Sequence, residues 1–209
     1  MPNISSHYFT PQAPLEAVGE VHSIKWNEST FRFATGNGVF AKSGLDAGSR
    51  LLLQMALPSL SDLPDDSLIG DLGCGWGAVG CVLAHELPRM NISMNDVNPR
   101  AVALARNNAE LNHLENTFCW CGDGLSAVAD NRFAAILCNP PIRAGNDVMA
   151  RLFEDSLRCL SKSGNLYLVI RTAQGAKSWQ KRLKVLFGNC DLLEIKSGYR
   201  VLRCERKIG

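Results

Sequence analysis

The chain reads as an α/β protein, with a mostly parallel seven-stranded sheet, an antiparallel edge and helices packed against it. Three observations predict this. Short apolar runs alternate with helix-length stretches through the middle of the chain, which is the rhythm of successive βαβ units. The first such unit, residues 67–98, runs apolar strand, glycine cluster, helix, strand, acid. Near the end, Lys196-Ser197-Gly198 separates two apolar runs as a hairpin turn would.

Residues 1–19 carry Pro2, Pro11 and Pro14 with little periodicity and read as an arm, which His7-Tyr8-Phe9 would pack onto the body. From Val21 to Phe33, a broken alternation of Val21, Ile24 and Trp26, then Phe31 and Phe33, predicts one or two short strands joined around Asn27-Glu28. Thr35-Gly36-Asn37-Gly38 signals a turn, and Val39–Lys42 another short strand. Asp46 can cap a helix that passes through Arg50-Leu51-Leu52-Leu53-Gln54 to Leu57 and stops near Pro58. A strand at Leu68–Leu72, a helix at Ala78–Glu86 and a strand centred on Ile92–Met94 follow. Asn98-Pro99 opens a helix with proline near its first position, and Ala101, Val102, Leu104, Ala105, Ala109 and Leu111 form its apolar side. Thr117–Trp120 is a strand leading to Gly122-Asp123-Gly124, and Phe133–Cys138 is a strand ending at Asn139-Pro140-Pro141. A helix over Asp147–Leu160 is closed by Ser163-Gly164; Leu166–Arg171 is a strand and Ser178–Phe187 an amphipathic helix. Leu192–Ile195 and Tyr199–Cys204 are the final pair of strands. This divides the chain into an N-terminal arm with a small elaboration, residues 1–60, packed on a core of residues 61–209.

The glycine cluster has a physical use. Gly73 and Gly75 permit a sharp turn and keep side chains away from a ligand, and Gly77 permits close approach at the helix start. Asp71 ends the first strand, at the sheet edge where α/β proteins place ligands, with Cys74 inside the turn. Asp96 ends the next strand, followed by Val97, and is positioned to accept hydrogen bonds from ribose hydroxyls. Gly75, Gly77 and Gly80 also satisfy the G-x-G-x-x-G spacing of dinucleotide sites. Asp123, flanked by Gly122 and Gly124, could accept from an adenine amino group, though the tripeptide is also an ordinary turn. Asn139-Pro140-Pro141-Ile142 is a rigid ledge: its prolines fix their own φ, lack N–H groups and restrict the residue before them. The Asn139 side-chain carbonyl and the Pro140 carbonyl can accept from a planar amine and aim its lone pair at an electrophilic methyl group, a gain by alignment.

The composition bounds the rest. The 209 residues, 46 % hydrophobic, suit a soluble protein of one domain, or one domain with an extension, and no run of some eighteen apolar residues suggests a membrane helix. Met1–His7 lacks the basic and apolar regions of a signal peptide. Of eight cysteines, Cys81, Cys138, Cys159 and Cys190 fall in core-like runs, which favours reduced thiols in cytoplasm. Cys119 and Cys121, with His113 nearby, have poor spacing for a metal, and none is expected. Net charge is only +2, yet eleven basic residues from Lys162 onward face only Asp191, Glu194 and Glu205. That C-terminal third could present a polyanion-binding face, or simply solvated helix and strand surfaces.

Asp71-Leu72-Gly73-Cys74-Gly75-Trp76-Gly77 together with Asn139-Pro140-Pro141 resembles the class I methyltransferases that use S-adenosylmethionine. Gly38-Val39-Phe40, Gly48-Ser49-Arg50-Leu51-Leu52, Ile142-Arg143-Ala144-Gly145 and Ile170-Arg171-Thr172-Ala173-Gln174-Gly175-Ala176 sharpen the match. They make the chain similar to small-domain methyltransferases related to the bacterial ribosomal RNA guanine-N2 enzymes. The resemblance implies a Rossmann-like methyltransferase fold, S-adenosyl-L-methionine as cofactor, no metal, and RNA as partner, in the form of ribosomal RNA or a ribosomal subunit. By the resemblance, Gly73, Gly75 and Gly77 border the methionine part, Asp96 takes the ribose hydroxyls and Asp123 lies beside adenine, with Asp71, Cys74, Val97, Gly124 and Asn139 as further cofactor contacts. Asn139 and Pro140 position the target amine. Phe40, Lys42, Pro141, Ile142, Arg143, Arg171 and Lys177 are the expected substrate contacts. In base-methylating relatives the position after the second proline is commonly aromatic; here it is Ile142. Substrate recruitment is expected from the short N-terminal part, the basic C-terminal part or a partner. The alternatives are a protein glutamine methyltransferase, a dinucleotide-dependent oxidoreductase and a non-catalytic RNA-binding protein.

Overall fold

The computed structural model describes residues 20–35, 45–141 and 144–207. The expected arm, most of the turn after Thr35 and the expected strand Val39–Lys42 lie outside these residues, as do the candidate substrate contacts Phe40, Lys42, Ile142 and Arg143.

The described chain opens with a two-stranded antiparallel hairpin, β1 (Val21–Trp26) and β2 (Ser29–Ala34). Helix α1 (Ala47–Leu60) follows, capped by Asp46, whose carboxylate accepts from the Gly48 and Ser49 N–H groups. The expected stop at Pro58 is not observed; the helix runs on to Leu60. Proline here falls in the last turn, where its missing N–H interrupts nothing downstream. Ser61 closes the end, its N–H donating to the Leu57 carbonyl and its hydroxyl to the Pro58 carbonyl.

The remaining strands are β3 (Leu68–Leu72), β4 (Asn91–Asp96), β5 (Thr117–Cys121), β6 (Phe133–Cys138), β7 (Leu160–Arg171), β8 (Asp191–Lys196) and β9 (Tyr199–Glu205). They form one seven-stranded sheet in the order β5-β4-β3-β6-β7-β9-β8. The pairs from β5 through β7 are parallel, and β9 runs antiparallel to both β7 and β8. The β8–β9 turn has positive φ at both Ser197 and Gly198, which suits the right-handed twist of a two-residue hairpin. Helices α2 (Ala78–Glu86), α3 (Pro99–Leu111), α4 (Asn146–Cys159) and α5 (Ala176–Phe187) complete the fold.

Alternation along the strands divides the core in two. Ala135 and Leu137 of β6 and Tyr167 and Val169 of β7 face a cluster built with α1, α2 and α3. Their neighbours Ile136, Cys138, Leu166, Leu168 and Ile170 face α4 and α5. Leu51, Leu52, Leu53, Ala56 and Leu60 of α1 are all buried in the first cluster. All eight cysteines are free; Cys190 is only partly buried and Cys121 exposed, unlike the core position expected for Cys190. No described helix is long and apolar enough to cross a membrane.

One boundary differs in kind. Ser163-Gly164 does not close α4, which ends at Cys159; it lies inside β7. Leu160 already pairs with Phe133, and the next partners are Ala135 and Asn165, so residues between them form a bulge in which Ser163 has positive φ. Arg206 holds the bulge, its N–H donating to the Gly164 carbonyl and its guanidinium to the Arg158 and Leu160 carbonyls.

The hairpin is fastened to α3 by two asparagines one helical turn apart. Asn108 accepts from the Ala34 N–H (2.7 Å) and donates to the carbonyls of Ala34 (3.1 Å) and Trp76 (2.8 Å). Asn112 accepts from the Arg32 N–H and donates to its carbonyl. These amides do for β2 what a neighbouring strand would do. Phe33 then stands edge-on against Trp76 at 4.7 Å between ring centres.

Candidate active site

The sheet order brings the predicted site residues to one edge. The carboxyl ends of β5, β4, β3 and β6 lie side by side and carry Gly122-Asp123-Gly124, Asp96, the glycine turn and Asn139 in that order. The turn after β3 sits where successive connections diverge to opposite sides of the sheet, the usual ligand crevice of such folds.

Backbone bonds shape the turn. Gly73 and Cys74 both donate to the Asn95 carbonyl, at 2.9 and 2.8 Å, and Gly77 donates to the Cys74 carbonyl. Gly75 has φ of +56°, and a Cβ added there would meet no described atom within 4 Å, so the turn presents bare backbone outward. Gly77 is needed for a different reason: at φ +85° its Cβ would stand 2.8 Å from that of Ala105, so α2 starts in contact with α3. Cys74 is buried, and burial pushes its thiol well above the usual range, which leaves it a neutral support in the turn.

The two acids take different places. Asp96 is half-buried; one oxygen accepts from the Gly75 N–H and the other from the Asn98 N–H, each at 2.9 Å. It ties the glycine turn to the start of α3 and retains acceptor capacity outward. Asp71 is 3 % exposed and lies beneath the turn, accepting from the Gly80 N–H at 2.8 Å. Gly77 supplies no side-chain cap to α2, so Asp71 provides the missing acceptor at that helix start. Burial pushes its carboxyl up to about 7, the Gly80 bond opposes this, and the nearby charge of Asp96 adds to it.

Val97 is exposed beside Asp96. Asp123 is exposed and 3.8 Å from Arg151, while Gly124 is buried. The Asp123 loop is held from below by Asn95, whose amide donates to the carbonyls of Gly122 (3.0 Å) and Gly124 (3.2 Å). At the end of β6, Asn139 is exposed, Pro140 is buried and Pro141 half-buried. The Asn139 amide reaches the start of α1, donating to Ser49 Oγ at 3.0 Å. Arg171, at the end of β7, is exposed with its guanidinium 4.7 Å from the Tyr199 ring centre. Lys177 is exposed in the first turn of α5.

Two residues of this edge, Asn95 and Ser49, are not among those the sequence singles out. Asn95 carries a signal, as an amide in the short run of β4 that also holds Ile92 and Met94. Ser49 falls in a segment that supports the resemblance, but nothing local assigns it a role, because a serine in the first turn of a helix is ordinary and its partner Asn139 lies 90 residues away.

Residues 30–203 match the pattern of the methyltransferase small domain family. YbxB of Bacillus subtilis (strain 168), described as uncharacterized, is 36% identical over 204 residues, 97% of this chain and 100% of that protein. Among solved structures, T. thermophilus RsmC, a 16S rRNA N2 G1207 methyltransferase in complex with AdoMet and guanosine, has a TM-score of 0.81 at 24% identity. The similarity covers 93% of this chain and 52% of RsmC, so the chain spans about half the length of that protein. M. jannaschii TYW2, in complex with AdoMet, has a TM-score of 0.60 at 12% identity, covering 90% of this chain and 85% of that one.

Proposed function

Because the chain belongs to the methyltransferase small domain family, we propose that it methylates an exocyclic amine, and that the amine is guanine N2 of ribosomal RNA. That it is an S-adenosylmethionine-dependent methyltransferase follows from the family and the fold together. The oxidoreductase reading of Gly75, Gly77 and Gly80 is thereby set aside.

The residues present fit the cofactor. Bare backbone at Gly73 and Gly75 leaves room for its methionine part, Asp96 offers acceptors for ribose hydroxyls, and Val97 offers an apolar surface for adenine. Asp123 lies on the loop fixed by Asn95 and would serve the adenine amino group. Asp71 and Cys74 act from beneath, holding the turn. When bound, S-adenosylmethionine supplies an electrophilic methyl group on a sulfonium, which the amine lone pair takes as the C–S bond breaks. The chain's part is alignment: Asn139 and Pro140 offer carbonyls to the amine N–H groups, and the released proton goes to water.

The observation that carries the proposal is Asn139, an exposed amide on a proline-stiffened strand end beside the glycine turn. RsmC, whose complex contains guanosine, supports guanine as the base. A base in structured RNA would have to be unstacked to reach this edge. The test is transfer of labelled methyl groups into RNA, ribosomal subunits and protein from cells lacking the gene, followed by nucleoside and amino-acid analysis. N2-methylguanosine in ribosomal RNA is the expected product. Label in glutamine would move the substrate to protein, and label in another nucleoside would replace guanine.

A further inference from the structure

We propose that Ser49 and Asp46 are positioning residues for Asn139, fixing which end of its amide faces the substrate. The proposal rests on the reading of Asn139 as the group that meets the target amine.

A side-chain amide has a donor end and an acceptor end of nearly equal shape, and a half-turn exchanges them. Only the carbonyl end can accept a hydrogen from an incoming amine. At the end of β6, Asn139 Nδ2 donates to Ser49 Oγ at 3.0 Å and lies 3.4 Å from Asp46 Oδ2. Ser49 Oγ in turn donates to Asp46 Oδ2 at 2.6 Å. Asp46 Oδ1 accepts from the N–H groups of Gly48 and Ser49. Capping α1 therefore occupies one carboxylate oxygen, and the other is given to the Ser49–Asn139 line.

The direction of that line is forced. Asp46, accepting from two backbone N–H groups and a hydroxyl, offers Ser49 nothing but acceptors. The Ser49 hydrogen points to Asp46, so its oxygen has only lone pairs left for Asn139. The end of the amide that meets it must be the N–H end. In the half-turned state the amide oxygen would face the oxygens of Ser49 and Asp46 with no hydrogen between them, unless the Ser49 hydroxyl gave up its charge-assisted bond to Asp46. Oδ1 is thus the end turned away from α1, and among the described residues nothing donates to it.

The anchor itself is held firmly. Ser49 is 6 % exposed. A Cβ at Gly48 would stand 2.7 Å from the Tyr199 ring, so the first turn of α1 sits directly on β9. Tyr199 is in turn covered by Arg171. An amide so braced arrives with its orientation already set, and the ordering cost is not charged to the reaction.

The experiment uses Ser49→Ala, Asp46→Asn, Asn139→Ala and the double variant Ser49→Ala/Asn139→Ala of the full chain. Asp46→Asn keeps a good helix cap, since asparagine caps as well as aspartate, so it stays folded while gaining an N–H that can turn the serine hydroxyl around. Single-turnover methyl transfer into ribosomal RNA and subunits from cells lacking the gene is measured at saturating S-adenosylmethionine. Nitrogen-edited NMR of the Asn139 side chain, assigned by its loss in Asn139→Ala, reports the amide without any reaction. Ser49→Ala and Asp46→Asn should each slow transfer roughly tenfold, with cofactor affinity and substrate KM little changed. Asn139→Ala should slow it roughly 10²-fold, and adding Ser49→Ala should cost nothing more. In both single variants the Asn139 side-chain N–H signals should shift toward those of a free amide and exchange faster. Parental rates and unmoved signals in Ser49→Ala and Asp46→Asn, with a slow Asn139→Ala, would overturn this proposal and leave the function standing. Multiplying losses in the double variant would also overturn it, since the serine would then act elsewhere. A parental rate in Asn139→Ala would remove the amine-positioning reading itself, and this proposal with it.

Discussion

Each oxygen of Asp96 already accepts one backbone N–H, from Gly75 or from Asn98, and each keeps a further lone pair. Asp96→Ala should therefore weaken S-adenosylmethionine binding by roughly 1–3 kcal/mol, through lost ribose hydrogen bonds and a loosened turn. Calorimetry on the folded variant measures this, and unchanged affinity would take Asp96 out of the site. Asp71 carries a pH signature. Burial holds its carboxyl near 7 in the folded chain, against an ordinary value of 3.8. The native state therefore keeps a proton that the unfolded chain has released between those values. Stability from this group is complete below the lower value and falls as pH rises toward the higher one. Asp71→Asn keeps an acceptor for Gly80 and removes the titration. Relative to the parent it should gain stability from about pH 4 to about pH 7, by about 4 kcal/mol at most, and stay level above. Denaturant unfolding at pH 5 and pH 8 checks this; an equal difference at both would mean Asp71 does not titrate there. The glycines and Asp96 are legible because strand, turn and acid follow one another locally. What Asn95 and Ser49 hold is not, because those partners lie far along the chain.

Helix α5 buries Ala176, Trp179, Leu183 and Phe187 and turns Lys177, Lys181 and Lys184 outward, spaced four and three residues apart on one face. Arg182 lies over the Trp179 ring at 4.9 Å. The helix starts at the site edge, since it follows the end of β7, so the stripe leads away from Asn139 down one side of the sheet. Lys→Gln changes at 177, 181 and 184 should weaken RNA binding and flatten its salt dependence, by roughly 0.7 to 0.9 in logarithmic slope for each phosphate that is no longer neutralised. Titration at several salt concentrations gives the slope, and an unchanged one would return the stripe to plain solvated surface. At this scale the helices are legible from their apolar periodicity, whereas their ends are less so. Pro58 reads as a stop, although a last-turn proline costs one bond only. Ser163-Gly164 reads as a helix end, although the same residues serve a strand bulge, where Ser163 takes the positive φ and Gly164 lets backbone carbonyls of Ser161 and Phe133 come close.

The alternation of βα units makes a parallel sheet legible, and the short turn at Ser197-Gly198 does the same for its antiparallel partner. The hairpin turn says that β8 and β9 are neighbours, not which of them meets β7. Burial decides it: β9 buries Tyr199, Val201, Leu202 and Cys204, while β8 has no fully buried residue, and the better-buried strand takes the inner place. The hydrogen bonds between Asn108 and β2 are illegible for the same reason as Ser49, a side chain meeting distant backbone. They have a consequence in exchange kinetics. Asn108 grips the Ala34 backbone with both ends of its amide, and its Nδ2 also donates to the Trp76 carbonyl inside the glycine turn. Opening of the hairpin should therefore disturb the surface proposed to hold the cofactor. Added S-adenosylmethionine should slow deuterium uptake at the Ala34 amide, which touches no predicted ligand contact, more than at amides of the far edge strand β8. Asn108→Ala should erase that difference. Uniform slowing across the sheet in the parent chain would mean that the hairpin opens without reference to the site, and that the two backbones this one amide joins are mechanically independent.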